Sequence, residues 1–301
     1  MIIMTFYEEI SANKTKSVVL IIIFFILVMA LGYFFGFFFA TPIFGLIIAF
    51  IIMVIMVLVG YYSGDSIILS MHKAKEIKKE DDPYLWNTVE GLSIAAQIPM
   101  PKVYIIEEDS PNAFATGRDP QHSSITVTSG LRKIMNRQEL EGVLSHEMSH
   151  IKNFDIRYMM LITILVGVIA LLSDFMLRSF LWGGARSGDR KGGGVLVLVF
   201  IALGIILAIL APIIAQILRF AASRQREYLA DASGTQLTRN PQGLANALKK
   251  IRDAKDKVVD TANKGTAHLF IENPLRGLKG VNNLFSTHPD INLRIAKLEK
   301  M

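Results

Sequence analysis

His146-Glu147-Met148-Ser149-His150 is the stretch of this chain whose residue types and spacing can do chemistry. Two histidines four apart on a helix project from one face, one turn from each other. Both imidazoles can then reach the same small volume. Glu147 sits beside the first of them, about 100° round the helix, within reach of a water held between the two. Two imidazoles that bind a metal, and a carboxylate that takes a proton from water, are the parts of a zinc peptidase. The chain has no cysteine, so thiolate ligands and disulfides are excluded, and any zinc must be held by His, Asp or Glu.

The stretch needs a helix to hold it, and the flanking residues supply one. Asn136 is placed to cap it, and Glu139, three residues on, can complete a capping box. Leu140, Val143, Leu144 and Ile151 recur at helical spacing. The expected helix runs over 137–153. A catalytic zinc takes three protein ligands and leaves one position for water. Glu227 and Asp231, four apart in Arg226-Glu227-Tyr228-Leu229-Ala230-Asp231, share a helix face. One of the two can bind metal while the other accepts the free N–H of a ligand histidine and fixes its tautomer. The remaining histidines, His72, His122, His268 and His288, stand apart from the motif in sequence.

The rest of the chain reads as a membrane protein that houses this helix. Its 301 residues are 51% hydrophobic and 19% charged, with mean hydropathy +0.40; soluble domains carry nearer about a quarter charged residues. From Ser17 to Gly64 no residue is charged, about twice the roughly 20 residues of one membrane helix. Thr41-Pro42 divides that run into a hairpin, with helices near Val18–Ala40 and Phe44–Tyr62. A third apolar run, Tyr158–Ser173, is weaker, being followed by Asp174 and Arg178, and a fourth spans Gly194–Leu218. Lys14, Lys16, Lys73, Lys75, Lys78 and Lys79 flank the first hairpin, whose own link is uncharged, so both of its ends are expected in the cytoplasm. The net charge of +6 is explained by such loops. No basic run is interleaved with stacking aromatics, which argues against a nucleic-acid partner.

Between the hairpins, Tyr84–Gln97 reads as an amphipathic helix closed by Pro99 and Pro101, and Lys102–Glu107 and Ser123–Thr128 read as strands. Asn112-Ala113-Phe114-Ala115-Thr116-Gly117 fits a short edge strand before a turn at Arg118-Asp119-Pro120. After the second hairpin come helices over Ser223–Thr238, Leu244–Val258 and Ile291–Lys300, with a loop-rich 259–285.

Taken together, the two hairpins, Asn112 to Gly117, His146 to His150, Arg226 to Asp231, and Ser286-Thr287-His288-Pro289 with Arg294 resemble the HtpX group of integral-membrane zinc metalloproteases, gluzincins related to the CAAX prenyl endopeptidases. The resemblance covers nearly the whole chain. It implies one zinc held by His146, His150 and Glu227, with Glu147 as general base and Asp231 hydrogen-bonded to a ligand histidine. It further implies that His288 stabilises the oxyanion, that Arg294 braces the wall of the site, and that a substrate peptide adds to the edge at Asn112, Ala113 and Phe114.

The expected architecture is a predominantly α-helical membrane protein with an α+β cytosolic protease domain around a small sheet. A cytosolic segment 1–16 precedes the transmembrane hairpin 17–63, the first part of the protease domain 64–156, the second hairpin 157–218, and the second part 219–301. The four spanning helices would anchor the chain in a prokaryotic cell membrane, its partners being the bilayer and membrane-protein or peptide substrates. The expected activity is endoproteolysis in quality control of membrane proteins. A membrane scaffold with a structural zinc, or a CAAX-type processing protease, are the competing expectations. A structural zinc would need four protein ligands, and no fourth sits beside the motif.

Overall fold

The computed structural model describes residues 6–38, 41–165, 167, 224–255, 258–263, 265–275 and 289–301. Two long helices open the chain, α1 (Phe6–Phe38) and α2 (Pro42–Met71). Both contain stretches apolar and long enough to cross a membrane, Asn13–Ala30 in α1 and all of α2. Their outward side chains, among them Ile22, Ile26, Ile47, Ile51 and Ile55, are exposed. Such a surface suits lipid contact, and a helix satisfies its own backbone there. The two helices meet through small residues. A Cβ on Gly32 would lie 2.2 Å from Ala49 Cβ, and one on Gly45 2.7 Å from Gly36 Cα. Small residues at these four positions are what let the backbones touch.

Both helices are longer than the apolar runs that announced them. α1 begins in the polar leader, and α2 continues nine residues beyond Tyr62, through Asp65, to Met71. Hydropathy marks the membrane-facing length of a helix, whereas its ends are set by backbone pairing and packing. Ile68 and Leu69, near the end of α2, are buried against Phe114 and Phe270.

A four-stranded mixed sheet follows, with β1 (Lys75–Glu76), β2 (Lys102–Ile106), β3 (Ala113–Asp119) and β4 (His122–Thr128) in the order β1-β2-β4-β3. β2 and β4 are parallel; the other two pairings are antiparallel. β3 is thus an edge strand, and it runs two residues further than its sequence suggested, through a bulge between Gly117 and Asp119. Helices α3 (Pro83–Ala96), α4 (Ser129–Ile134) and α5 (Arg137–Lys152) pack with the sheet. α3 is stopped by Gln97 in the left-handed conformation, φ 57°, before either proline is reached. The chain then turns at Asn153-Phe154 into α6 (155–165), whose Tyr158, Met159, Met160, Leu161, Ile162 and Leu165 are buried. The rest of the expected third span, the fourth span and their link lie outside the described residues.

After them come α7 (Arg224–Thr238), α8 (Pro241–Asp253) and α9 (Ile291–Leu298). Asn240-Pro241 caps and opens α8, with Asn240 Oδ1 accepting the Gly243 N–H at 3.1 Å. α8 stops at Asp253, five residues short of the expected end. One core joins the sheet, α3, α5, α8 and α9 around Leu140, Val143, Leu144, Met148 and Ile151.

Candidate metal centre

α5 is the central rod of the part of the chain that carries the sheet. Its start is fixed by the capping box: Asn136 Oδ1 accepts the Glu139 N–H at 3.0 Å, and Glu139 Oε2 accepts the Asn136 N–H at 2.8 Å. Such a cap stabilises a helix by about 1 kcal/mol. From Gly142 to Ile151 every residue is buried. α7 lies directly against it. A Cβ on Gly234 would sit 2.9 Å from the His146 backbone nitrogen, so a side chain there would push α7 away. The glycine brings the helix carrying Glu227 and Asp231 up to the first histidine.

There the ligand-type atoms converge. His146 Nε2 and His150 Nε2 are 3.2 Å apart. Glu227 offers Oε2 at 3.6 Å from the first and Oε1 at 3.7 Å from the second. The three residues form a group whose ligand atoms all lie within 4.8 Å of one another. Behind each ring stands a carboxylate: Asp231 Oδ1 is 3.0 Å from His146 Nδ1, and Asp155 Oδ2 is 2.9 Å from His150 Nδ1. A carboxylate at Nδ1 accepts a hydrogen bond from the Nδ1–H, so a neutral ring turns a bare Nε2 lone pair towards its neighbour.

Arg294, fully buried, grips Asp231 with Nε to Oδ2 at 2.9 Å and Nη2 to Oδ1 at 2.6 Å. Its Nη1 donates to the Ile271 carbonyl at 2.8 Å and lies 3.7 Å from Glu227 Oε2. This fork fixes both the carboxylate and the wall formed by Ile271.

The donor set fits a divalent metal ion. Two lone pairs facing each other at 3.2 Å repel unless a cation lies between them. The buried charges agree: Glu147, Asp155, Glu227 and Asp231 outnumber Arg226 and Arg294 by two, and buried charge must be compensated. Burial and Arg294 both oppose a charge on His146, yet hydrogen bonds to Asp231 and Glu227 outweigh them and raise its pKa to about 9. Burial pushes Asp231 up, but Arg294 and His146 prevail and bring it down to about 2. The site therefore draws positive charge, which a proton or a metal can supply. Burial holds the Glu147 carboxyl above the ordinary range.

Of the expected residues, His146, His150, Glu227, Asp231 and Arg294 assemble as a group, and three points stand beside this. His288 lies outside the described residues. Asn112, Ala113 and Phe114 do stand at the edge of the sheet, but that edge is already covered. Phe270 pairs antiparallel with Phe114, and the Ile271 N–H reaches the Ala113 carbonyl at 2.9 Å. Asn112 precedes the strand, its Nδ2 donating to the Glu272 carbonyl at 3.0 Å. Third, Asp155 was not singled out from sequence, although it lies five residues after His150, where a turn can fold it back. A cavity of about 870 Å³ lies on another flank of α5 and α7, lined by Ser149, Lys152, Ser233 and Gln236, and none of the metal-type residues borders it.

The sequence pattern of peptidase family M48 matches residues 79–301. A protease HtpX homolog of Dictyoglomus thermophilum is 46% identical over 297 residues, 99% of this chain and 95% of the relative. One from Listeria monocytogenes is 44% identical over 303 residues, 98% and 99% of the two chains. Among solved structures, Ste24p of S. mikatae superposes with a TM-score of 0.52 at 18% identity, over 96% of this chain and 66% of that one, a likeness of fold. Family membership also removes the non-enzymatic scaffold as an alternative, since M48 proteins are metallopeptidases. With its histidine pair, its carboxylates and its membrane helices, the chain belongs to peptidase family M48 and is a membrane metalloprotease of the HtpX type.

Proposed function

We propose that the protein is a zinc-dependent endopeptidase acting at the cytosolic face of a prokaryotic cell membrane. It is held there by four spanning helices in two hairpins, and its substrates are misfolded or damaged membrane proteins. The observation that carries the reading is the meeting of His146 Nε2, His150 Nε2 and the Glu227 carboxylate in one buried volume. Two imidazoles and one carboxylate without thiolates are a donor set suited to zinc, with a coordination position left over. A divalent ion bound there would polarise a scissile carbonyl and make a water more acidic.

The chain's own residues do the rest. Glu147 takes the proton of the attacking water and hands it to the leaving amine nitrogen. Its burial raises its basicity towards that task. Asp231 and Arg294 keep His146 in the tautomer that presents Nε2. His288 donates to the tetrahedral oxyanion. A substrate adds to β3 as a further strand beside Asn112, Ala113 and Phe114. At the Ala113 carbonyl it would compete with the Ile271 N–H, which already reaches that oxygen at 2.9 Å.

We prefer quality control to CAAX processing because the resemblance that implies it is to the HtpX group, whose homologs are 46% and 44% identical over nearly the whole chain. Cleavage of a destabilised membrane protein, set against a prenylated peptide, decides between them. The test of the chemistry is Glu147→Gln in the full chain in detergent. Metal content is expected to stay at one ion per chain while turnover falls by about 10²–10⁴-fold. Near-native turnover would overturn the role of Glu147.

A further inference from the structure

Asp155 and Asn13 belong to no motif, and neither has a part in the proton transfer. Asp155 Oδ2 lies 2.9 Å from His150 Nδ1, and both groups are buried. This contact sets which His150 nitrogen keeps its proton, and it aims Nε2 at His146 and Glu227. The chain reaches this position through Phe154, whose φ of 61° reverses its direction after α5.

The other carboxylate oxygen is held from far away in sequence. Asn13, on α1, donates from Nδ2 to Asp155 Oδ1 at 2.7 Å and to the Asn153 carbonyl at 3.1 Å. Both partners are acceptors, so the amide must present its nitrogen to them. Asn13 is 1% exposed and Asp155 2%, so no bulk water can replace this donor. Arg226 Nη1 stands 3.7 Å from the same oxygen.

We propose that Asp155 is a positioning residue for His150 and that Asn13 locks it, so that a contact from the first membrane helix sets the metal affinity of the site. The inference rests on the metal-centre reading above. It makes α1 more than an anchor: displacing α1 along or about its axis would take the Asn13 bond from Asp155 Oδ1, leaving the longer contact to Arg226, let the carboxylate turn, and loosen His150. A merely structural Asn13, tying α1 to the rest of the chain, would lower folding stability without altering how the imidazole meets a metal.

The two roles separate in the full-length protein in detergent, with Zn²⁺ affinity measured by chelator competition and ligand geometry by the absorption spectrum of bound Co²⁺. Losing the partner of a ligand histidine typically costs about 10–100-fold in metal affinity, which is the loss expected for Asp155→Asn. Asn13→Ala is expected to cost about 10-fold, the lower end of the same range, and to change the Co²⁺ spectrum. Ser17→Ala, one turn along α1, removes a buried hydroxyl that among the described residues bonds the Asn13 carbonyl, at 2.9 Å. It should lower the melting temperature and leave affinity and spectrum as they are. Unchanged affinity in Asn13→Ala, or an equal loss in Ser17→Ala, would overturn the link to α1. Should Asp155→Asn fail to fold, Asn13→Ala and Ser17→Ala still decide the matter. A wild-type chain that binds no stoichiometric Zn²⁺ or Co²⁺ would instead sink the metal centre itself.

Discussion

Two histidine environments in this molecule are equally buried and electrostatically opposite. His146 is backed by Asp231 and faces His150 and Glu227, and its pKa rises to about 9. His72, at the end of α2, packs against Phe114 and Phe270 with ring centroids 5.5 and 5.2 Å away, and burial brings it down to about 4. Its Nδ1 meets Thr261 Oγ1 at 3.2 Å, and its Nε2 has no partner among the described residues. The same side chain is thus a receptor for positive charge in one place and a neutral wedge in the other. Burial alone does not make a ligand; the carboxylate behind the ring does.

Removing metal is the strongest way to test that contrast. Chelation should abolish cleavage, and zinc should restore it. If the ion is present at about 1,000 times its Kd, the loss of stability is about 4 kcal/mol. Hydrogen exchange should then rise in α5 and α7 while the junction of α2 and β3 around His72 is unmoved. Equal loosening of both regions would erase the distinction.

Arg294→Met attacks the clamp directly. It leaves Asp231 buried without its guanidinium, and breaking a buried pair in this way costs about 3–5 kcal/mol. The loss should appear in denaturant unfolding and in metal retention together.

His72 gives the opposite sign of dependence on pH. Its folded pKa lies below the unfolded value of 6.5, so the penalty is absent above that value and grows as pH falls towards about 4. Between pH 7 and pH 5 it amounts to about 2 kcal/mol. His72→Phe should flatten that part of the stability profile, and a slope unchanged by the substitution would show that His72 is not its source. The smallest effect is expected far from both rings: Asn136→Ala removes half of the capping box and should cost about 1 kcal/mol, read as a small fall in melting temperature with metal affinity intact.

Much of this was legible in the chain. The capping box at Asn136 and Glu139 is local chemistry, and it appeared where the spacing put it. The strands around β2 and β4 announced themselves by alternation and β-branched residues, to within a residue or two. The ends of α1, α2 and α8 were less legible, whereas α3 ends at Gln97 as expected, closed there by a left-handed turn before either proline is reached. Apolar runs marked where α1 and α2 suit lipid and said nothing of where their helices stop, because a polar residue in a helix flank still pairs its backbone.

The site shows the same division. His146, Glu147 and His150 follow from helical periodicity alone, since i and i+4 must share a face. The choice between Glu227 and Asp231 did not follow, because both share a face too. Only packing decides it: Gly234 seats α7 on His146, Glu227 faces both imidazoles, and Arg294 claims Asp231. The open or covered state of the β3 edge was equally out of reach, for Phe270 lies more than 150 residues from Phe114 and nothing local joins them. Asn13 and Asp155 are the clearest case. Each is an ordinary polar residue in the sequence, and their hydrogen bond spans 142 positions. The sequence by itself determined the helix of His146 and His150 and the long apolar hairpin, because those rest on short-range periodicity and composition, while the family resemblance rested on shared motifs. Tertiary structure alone decided which carboxylate backs which ring and what covers the edge strand, because a hydrogen bond between distant residues exists only once the core has packed them within 3 Å or so of each other.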